Sequence, residues 1–259
     1  MRSALRRQLQ RAVDDHEFTV YYQPKFHLAS GDLQGVEALL RWRTRAGAWI
    51  PPSAFTPILE RTGMIEEVGS WVFERAAIDS AYWRRNGRSV VRVAVNVSPI
   101  QLRQRDFLSS ILAISGSCSA QGTGLDIELT ESIAMPDSDA LIKVLNDLSA
   151  ANVAVALDDF GTGYSSLSLL VKLPVRQLKI DRSFIRQLGK SRKAVAVVEA
   201  IIRLARELGM KTIAEGIETA DQRDRLRALG CDIGQGFYFG RAMSREDLLA
   251  SLQSIRPQA

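Results

Sequence analysis

Acidic side chains recur at the ends of segments whose sequence is typical of β-strands. Four carboxylates and one amide lie at such ends, namely Asn96, Glu128, Asp158, Asp159 and Glu215, and a fifth carboxylate, Glu37, lies within the second strand-like segment. Because the carboxyl ends of barrel strands meet at one rim, we expect these side chains to converge. Carboxylates packed together without a cation repel one another, and some of them would have to be protonated. Divalent cations at this rim would remove the conflict.

The donor atoms indicate which metal would bind. Carboxylate and amide oxygens suit Mg²⁺ or Mn²⁺. The histidines are only His16 and His27, both early in the chain, so a histidine-based zinc site is not expected. The adjacent Asp158 and Asp159 could let one carboxylate bridge two cations while its neighbour binds one. Two cations about 3.5–4 Å apart are suited to phosphodiester hydrolysis.

Three further polar residues follow strand-like segments at the same rim, namely Lys179, Asp181 and Gln235. Each residue taken alone has an ordinary structural alternative. An acidic residue after a strand often caps a helix, and Asn96 before Ser98 could start one. Lys179 could be a surface lysine. The convergence of the whole set favours a site over these separate explanations.

Strand-like and helix-like segments alternate along the chain. Strands are predicted over residues 18–26, 33–42, 90–97, 125–129, 153–157, 175–180, 211–214 and 232–233. Helices are predicted over residues 3–15, 52–62, 66–86, 105–115, 137–150, 193–208, 220–229 and 245–254. This alternation predicts an α/β fold, a single TIM-like (β/α)8 barrel. A hairpin turn at residues 29–32 joins the first two strands, so one strand near the N-terminus should run antiparallel.

Length and composition agree with one barrel in residues 18–259. The chain has 259 residues, of which 46% are hydrophobic, which is enough for one large core. Residues 1–17 form a helical segment, either a cap on the barrel or a connector from an upstream sensory domain. No apolar run is long enough for a membrane span, and two distant cysteines favour a reducing cytoplasm. The net charge of +5 lacks the dense basic blocks expected for nucleic-acid polymers.

Eight short motifs carry a resemblance that covers residues 18–243. They are Tyr22-Gln23-Pro24, Glu37-Ala38-Leu39-Leu40-Arg41-Trp42, Asn96-Val97-Ser98, Glu128-Leu129-Thr130-Glu131, the loop of residues 158–167, Lys179-Ile180-Asp181, Ala214-Glu215-Gly216-Ile217-Glu218 and Gln235-Gly236-Phe237. In this order they resemble the EAL-domain cyclic di-GMP phosphodiesterases. The resemblance implies a bacterial, cytoplasmic enzyme that hydrolyses cyclic di-GMP to linear pGpG with two Mg²⁺ or Mn²⁺ ions.

The resemblance also implies a role for each residue. One cation would be held by Glu37, Asn96, Glu128 and Asp158, and the second by Asp158, Asp159 and Glu215. The catalytic group would comprise Glu37, Lys179, Glu215 and Gln235, with Lys179 contacting the attacking water or the phosphate. Substrate contacts would come from Gln23, Leu39, Arg41, Asp181 and Glu218. Glu131 would anchor the loop that carries residues 161–166.

Two partners and one rival function follow from the same resemblance. The family's loop lies near a dimer contact, so a homodimer is expected. An upstream sensory or GGDEF domain is expected in a longer parent protein. The rival is a receptor module that binds cyclic di-GMP without cleaving it and acts through a protein partner. Because every expected metal ligand is present, the enzyme is the favoured function.

Overall fold

The barrel is a closed ring of strands in the part of the chain that the structure describes. This computed structural model describes residues 2–87, 92–120, 124–130, 138–162 and 167–254. The strands are β1 Phe18–His27, β2 Leu33–Arg43, β3 Trp49–Ile50, β4 Arg92–Val97, β5 Gly124–Thr130, β6 Ala154–Phe160, β7 Gln177–Ile180, β8 Lys211–Ala214 and β9 Ile233–Gln235. The ring order is β1, β9, β8, β7, β6, β5, β4 and β2, and the pairing of β1 with β2 closes it.

One strand of the ring runs against the others. Strand β1 is antiparallel to both of its neighbours, β2 and β9, while the remaining ring neighbours pair in parallel. The short strand β3 pairs only with the end of β2 and lies outside the ring. The predictions of an eight-stranded barrel and of one antiparallel strand near the N-terminus are therefore confirmed.

The helices surround the ring and mostly follow the predicted positions. Their bounds are α1 Arg2–Asp14, α2 Pro52–Thr62, α3 Ile65–Arg85, α4 Pro99–Leu102, α5 Phe107–Ala120, α6 Ser138–Ala150, α7 Leu167–Leu170, α8 Arg182–Ile185, α9 Arg192–Glu207, α10 Ala220–Ala228 and α11 Arg245–Ser254. Strand β3 and the one-turn helices α4, α7 and α8 were not predicted, because elements this short have no measurable periodicity. The predicted start of the third strand, at residues 90–91, lies outside the described residues.

Local sequence signals explain how the chain enters the helices next to the rim. Ser98 begins α4 with a capping box, in which its side chain and that of Gln101 satisfy each other's backbone N–H groups. This turns the chain directly after Asn96. A second capping box joins Thr219 and Gln222 at the start of α10, just after Glu218. Both caps stabilise the backbone beside predicted site residues.

Two apolar clusters stabilise the described part of the chain. The larger cluster fills the space between the ring and the outer helices. The smaller one packs buried side chains of α1 against the ends of β1 and β2 and against α2 and α3, and it includes Leu9, Ala12, Val13, Trp42 and Phe55. Helix α1 therefore shares a core with the rim of the barrel. None of the described helices is long and apolar enough to cross a membrane.

A buried polar network fastens the C-terminal segment to β1. The hydroxyl of Tyr22 donates a 2.6 Å hydrogen bond to Asp79 on α3, and Arg245 donates a 3.0 Å bond to the same carboxylate. Backbone bonds of 2.8 and 3.0 Å join Tyr22 to Met243 in both directions. The next residue, Gln23, faces the barrel interior, so this network positions a residue of the predicted site.

Candidate active site

A cavity of about 560 Å³ opens at the carboxyl ends of the parallel strands. Its walls include four of the five predicted carboxylate ligands, Glu37, Asp158, Asp159 and Glu215. Four of the predicted substrate contacts also line it, Gln23, Leu39, Asp181 and Glu218. The barrel thus brings together residues that are separated by up to about 200 positions in the chain. Their roles remain predictions, which the proposed function below takes up.

Lys179 is the centre of the buried layer beneath this cavity. Its side chain is fully buried, and its ammonium contacts Glu128, Asp158 at 2.9 Å and Glu215 at 2.7 Å. Glu37 lies slightly farther away, at 3.8 Å. Lysine has three N–H donors, and each has a carboxylate partner here. The surface-lysine alternative for Lys179 is therefore wrong.

Glu37 is oriented by two amides from other strands. Asn96 donates a 2.8 Å hydrogen bond to Oε1 of Glu37, and Gln235 donates a 2.6 Å bond to Oε2. Gln235 also donates to Gln23 at 3.1 Å, which in turn donates to the backbone carbonyl of Gly240 at 3.0 Å. These bonds fix the direction in which the Glu37 carboxylate faces the cavity.

A break in the regular strand places both aspartates at the cavity. Successive side chains of a strand point to opposite faces, yet Asp158 and Asp159 both line the cavity. The register between β6 and β7 shifts across Leu157 and Phe160, and Asp159 has φ of 56°, in the left-handed region that aspartate tolerates better than most residues. This irregularity turns Asp159 towards its neighbour's side of the sheet.

Burial and neighbouring charges shift the pKa values of these carboxylates in different directions. Burial raises the pKa of Glu215 to about 8, although Lys179 opposes the shift. Burial also raises the pKa of Glu37 and Asp158. For Glu128, burial alone would raise the pKa, but attraction by Lys179 and Lys25 lowers it to about 2. Most of these carboxylates therefore lack enough positive charge around them, and added cations would stabilise their ionised forms.

The site fits divalent cations by its chemistry. Carboxylate oxygens of Asp158, Asp159 and Glu215 lie within 4.8 Å of one another, and oxygen donors suit Mg²⁺ or Mn²⁺. The buried Oε1 of Gln235 has no hydrogen-bond partner among the described residues. An unpaired buried acceptor is costly, and a cation-bound water beside it would supply the missing donor. These residues therefore suit a site that binds cations and water together.

Two predicted residues lie at a neighbouring cavity instead. Arg41 and Asn96 line a more apolar space of about 270 Å³, which shares Leu39 with the main cavity. Burial lowers the pKa of Arg41, although Glu37 opposes the shift, and its guanidinium donates to the backbone carbonyl of Leu40 at 3.1 Å. A substrate that contacts Arg41 must therefore extend across the rim from one cavity to the other.

Asp181 caps helix α8, which is the structural alternative to a site role for an acidic residue after a strand. Its Oδ1 accepts a 2.9 Å hydrogen bond from the backbone of Ser183 at the start of α8. Asp181 also lines the main cavity. The capping bond uses only Oδ1, so Oδ2 of the same carboxylate is left for a ligand in the cavity. Glu218 is exposed, 3.7 Å from Arg186. Glu131 and residues 163–166 lie outside the described residues, so the predicted loop anchor stays a prediction.

Some residues at the site were missed by sequence reasoning. Lys25 is buried and donates to Glu128 at 2.9 Å. Its position two residues after Gln23 places it on the same face of β1, and this spacing was a usable signal. Arg182, Arg186 and Phe237 also line the main cavity. Their positions depend on how short helices and loops fold over the rim, which periodicity does not reveal.

Comparison with known proteins identifies the family. The EAL domain model matches residues 6–242. The chain belongs to the EAL domain family, which confirms the family prediction. The EAL domain is 41% identical over 244 residues to a Pseudomonas aeruginosa protein named bifunctional diguanylate cyclase/cyclic di-GMP phosphodiesterase MucR, a match that covers 94% of this chain and 36% of MucR. It is 33% identical to the Escherichia coli oxygen sensor protein DosP, covering 96% of this chain and 31% of DosP.

Solved structures show the same barrel. The EAL domain superposes on a structure described as the PaMucR phosphodiesterase in complex with c-di-GMP, with a TM-score of 0.86 and 40% identity, covering 93% of this chain and 98% of that one. It also superposes on the EAL enzyme Bd1971 bound to cAMP and cyclic di-GMP, with a TM-score of 0.88, 31% identity and coverage of 95% and 68%. The chain spans about a third of the length of the curated relatives it matches.

Proposed function

We propose that this EAL domain hydrolyses one phosphodiester bond of cyclic di-GMP and releases linear pGpG. The observation that carries the proposal is the convergence of Glu37, Glu128, Asp158 and Glu215 on Lys179 beneath an open cavity. A water oxygen bonds to phosphorus, the bond from phosphorus to the 3′ oxygen breaks, and that oxygen gains a proton. MucR and a second P. aeruginosa relative are both named cyclic di-GMP phosphodiesterases, which supports this substrate.

The carboxylates divide into two overlapping ligand sets. Glu37, Asn96, Glu128 and Asp158 would hold one Mg²⁺ or Mn²⁺ ion, and Asp158, Asp159 and Glu215 would hold the other. When bound, the two ions lower the pKa of a water molecule and neutralise negative charge on the phosphate and the leaving oxygen. Asp158 belongs to both sets. The backbone N–H of Asp159 donates a 2.8 Å hydrogen bond to Oδ1 of Asp158, and this bond orients the shared carboxylate.

The remaining residues bind and orient the substrate in this proposal. The three N–H donors of Lys179 have carboxylate partners in the structure, so in this proposal Lys179 exchanges one of these contacts for the attacking water or a phosphate oxygen. Gln235 orients Glu37, and its Oε1, which has no partner among the described residues, accepts from water. Gln23 and Leu39 contact the nucleotide from β1 and β2, and Arg41 binds a phosphate oxygen. Asp181 and Glu218 contact the nucleotide from the opposite wall of the cavity. Together they hold a long, doubly charged ligand across the rim.

A homodimer and an upstream domain belong to the same proposal. Leu167 and Val171 are exposed by 57% and 67%, directly after the loop that follows Asp158 and Asp159. Exposed apolar side chains at one site favour contact with a partner, and we assign that partner to a second copy of the chain. The relatives are about three times as long as this chain, which supports a further domain, and we place a sensory or GGDEF domain on the N-terminal side. Light scattering of the wild type and of Val171→Asp tests the dimer, and a monomeric wild type during turnover refutes it.

The decisive experiment for the activity is incubation with cyclic di-GMP and Mg²⁺, with products separated by chromatography. The expected result is linear pGpG that accumulates with time. Binding of cyclic di-GMP, measured by calorimetry, without any product would refute hydrolysis and favour the receptor module. Cleavage of other phosphodiesters at the same rate would refute the proposed substrate.

A further inference from the structure

An arginine and a glutamate lie side by side on the wall of the main cavity with their hydrogen-bonding groups unused. Arg186 follows α8 and Glu218 precedes α10, and both line the cavity. Their charged groups are 3.7 Å apart, and the two side chains are 57% and 46% exposed. That separation is too long for a hydrogen bond, and neither side chain hydrogen-bonds to another described residue. The guanidinium donors and the carboxylate acceptors are therefore available to a ligand.

A buried glutamine, Gln222, ties together the two chain segments that carry this pair. Its Oε1 accepts a 2.8 Å hydrogen bond from the backbone N–H of Glu218, and its Nε2 donates a 3.2 Å bond to the backbone carbonyl of Ile185. Ile185 directly precedes Arg186, and its side chain is fully buried. The capping box of α10 uses only Oε1 of Gln222, so the bond to Ile185 is an additional link between α10 and α8. The backbone positions of both charged residues are therefore fixed before any ligand binds.

A donor beside an acceptor matches one edge of a guanine base. Guanine presents the O6 acceptor next to an N1–H donor, and arginine commonly donates to guanine O6. The Glu218 carboxylate can accept from N1–H and from the neighbouring N2 amino group while Arg186 donates to O6. Adenine reverses this order, because it has an amino donor at N6 and an acceptor at N1. Each side chain would then face a group of its own kind and lose its hydrogen bond, which disfavours adenine.

We propose that Arg186 is a specificity-determining residue, which together with Glu218 selects guanine over adenine at one end of the cyclic dinucleotide. Fold stability does not account for the pair, because exposed ion pairs contribute little to it. The inference rests on the proposed function, in which cyclic di-GMP is the substrate and Glu218 contacts it. A role of Arg186 as a plain positive charge for the phosphates makes a different prediction. Cyclic di-GMP and cyclic di-AMP carry the same two phosphates, so loss of the charge alone would weaken the binding of both by a similar factor.

The test measures the affinity for each nucleotide by calorimetric titration in CaCl₂, an ion that should support binding with little hydrolysis. Displacement of bound cyclic di-GMP measures the weaker binding of cyclic di-AMP. Arg186→Met keeps an unbranched side chain and removes the guanidinium. The ratio of cyclic di-GMP to cyclic di-AMP affinity should fall by about tenfold in this variant, which is within the range for one good contact to a base edge. Arg186→Lys keeps the charge without the planar fork, so its ratio should lie between those of the wild type and Arg186→Met.

The matched control is Arg203→Met, the same substitution at an exposed arginine on α9, which should change neither affinity. Circular dichroism checks that the variants are folded, as expected for substitutions at exposed positions. An unchanged ratio in Arg186→Met overturns the role of Arg186, whether both affinities fall together or neither changes. A wild type that binds cyclic di-GMP but never cleaves it in Mg²⁺ overturns the proposed hydrolysis instead, and the affinity ratio still tests base selection. A wild type that binds no cyclic di-GMP refutes the substrate on which both proposals rest.

Discussion

The amide of Gln235 donates a 2.6 Å hydrogen bond to the carboxylate of Glu37, although 198 residues separate the two in the chain. They lie on β9 and β2, and only β1 stands between those strands in the ring. Because β1 is antiparallel, its Gln23 pairs directly with Glu37 and its Lys25 with Gln235. The closure of the barrel thus joins the amides of Gln23 and Gln235 and the carboxylate of Glu37 in one hydrogen-bonded group at the cavity.

Gln235→Leu should lower the rate of cyclic di-GMP hydrolysis by about 10–100-fold, because it removes the donor that orients Glu37. The barrel should remain folded, since leucine preserves volume in a buried position. Initial rates and circular dichroism together check this. Gln34→Leu, at an exposed position on β2, is the matched control and should have the wild-type rate. Equal rates for both variants would show that the bond to Glu37 has no catalytic value.

Glu37→Ala and Asp159→Ala should each reduce turnover by at least about a hundredfold, because each removes an anion that would bind a cation directly. Both residues lie at the rim, where they contribute little to the apolar core. Asp147→Ala, at an exposed aspartate on α6, should change nothing. A folded Glu37→Ala or Asp159→Ala protein with near-normal turnover would remove that residue from the ligand set.

Removal of divalent cations with excess chelator should abolish turnover, and Mg²⁺ or Mn²⁺ should restore it. The reason is that the clustered carboxylates of Asp158, Asp159 and Glu215 offer oxygen ligands that suit these ions. Ca²⁺ should bind and support little hydrolysis, because its larger and looser coordination sphere orients water poorly. Rates measured across a titration of each ion check this, and full activity in chelator would refute a two-cation mechanism.

The fold and the set of rim residues could be predicted because both depend on local pattern. The alternation of strands and helices predicts the barrel, and the barrel predicts that residues after its strands meet. Glu128 and Glu215 follow from this rule, whereas Glu37 lies inside β2 and its assignment to the site follows from its motif. The prediction needed no knowledge of loops, since the carboxyl ends of parallel strands converge wherever the loops go.

Other features depend on contacts between distant segments, and the sequence pattern does not contain them. The backbone irregularity that brings the Asp159 side chain next to that of Asp158 is a shift in the pairing register between β6 and β7. The position of Arg41 at a neighbouring cavity depends on how α2 packs beside β2. The partners of Lys179 come from four separate strands and loops. Residue types predict that such groups need partners, and only the assembled barrel determines which ones they have.

Tyr22→Phe should lower the free energy of unfolding by about 1–3 kcal/mol, because it leaves the buried Asp79 without one of its donors. Burial first, and then the neighbouring Asp79, raise the pKa of Tyr22 far above its usual value, so the hydroxyl stays a donor at every ordinary pH. Tyr238→Phe is the matched control, since its hydroxyl accepts from Arg223 on the surface. Urea denaturation checks both, and an equal loss in the two variants would contradict the role of the network.

Helix α1 should behave as part of the folded barrel and not as a loose connector. Leu9 is fully buried in the smaller apolar cluster with Trp42 and Phe55, so Leu9→Ala should lower the free energy of unfolding by about 2–5 kcal/mol. Gln8→Ala, at an exposed neighbouring position, should change it by less than about 0.5 kcal/mol. Denaturant unfolding followed by circular dichroism measures both values. If Leu9→Ala unfolds at the same denaturant concentration as Gln8→Ala, then α1 contributes no stability and residues 1–17 act only as a connector.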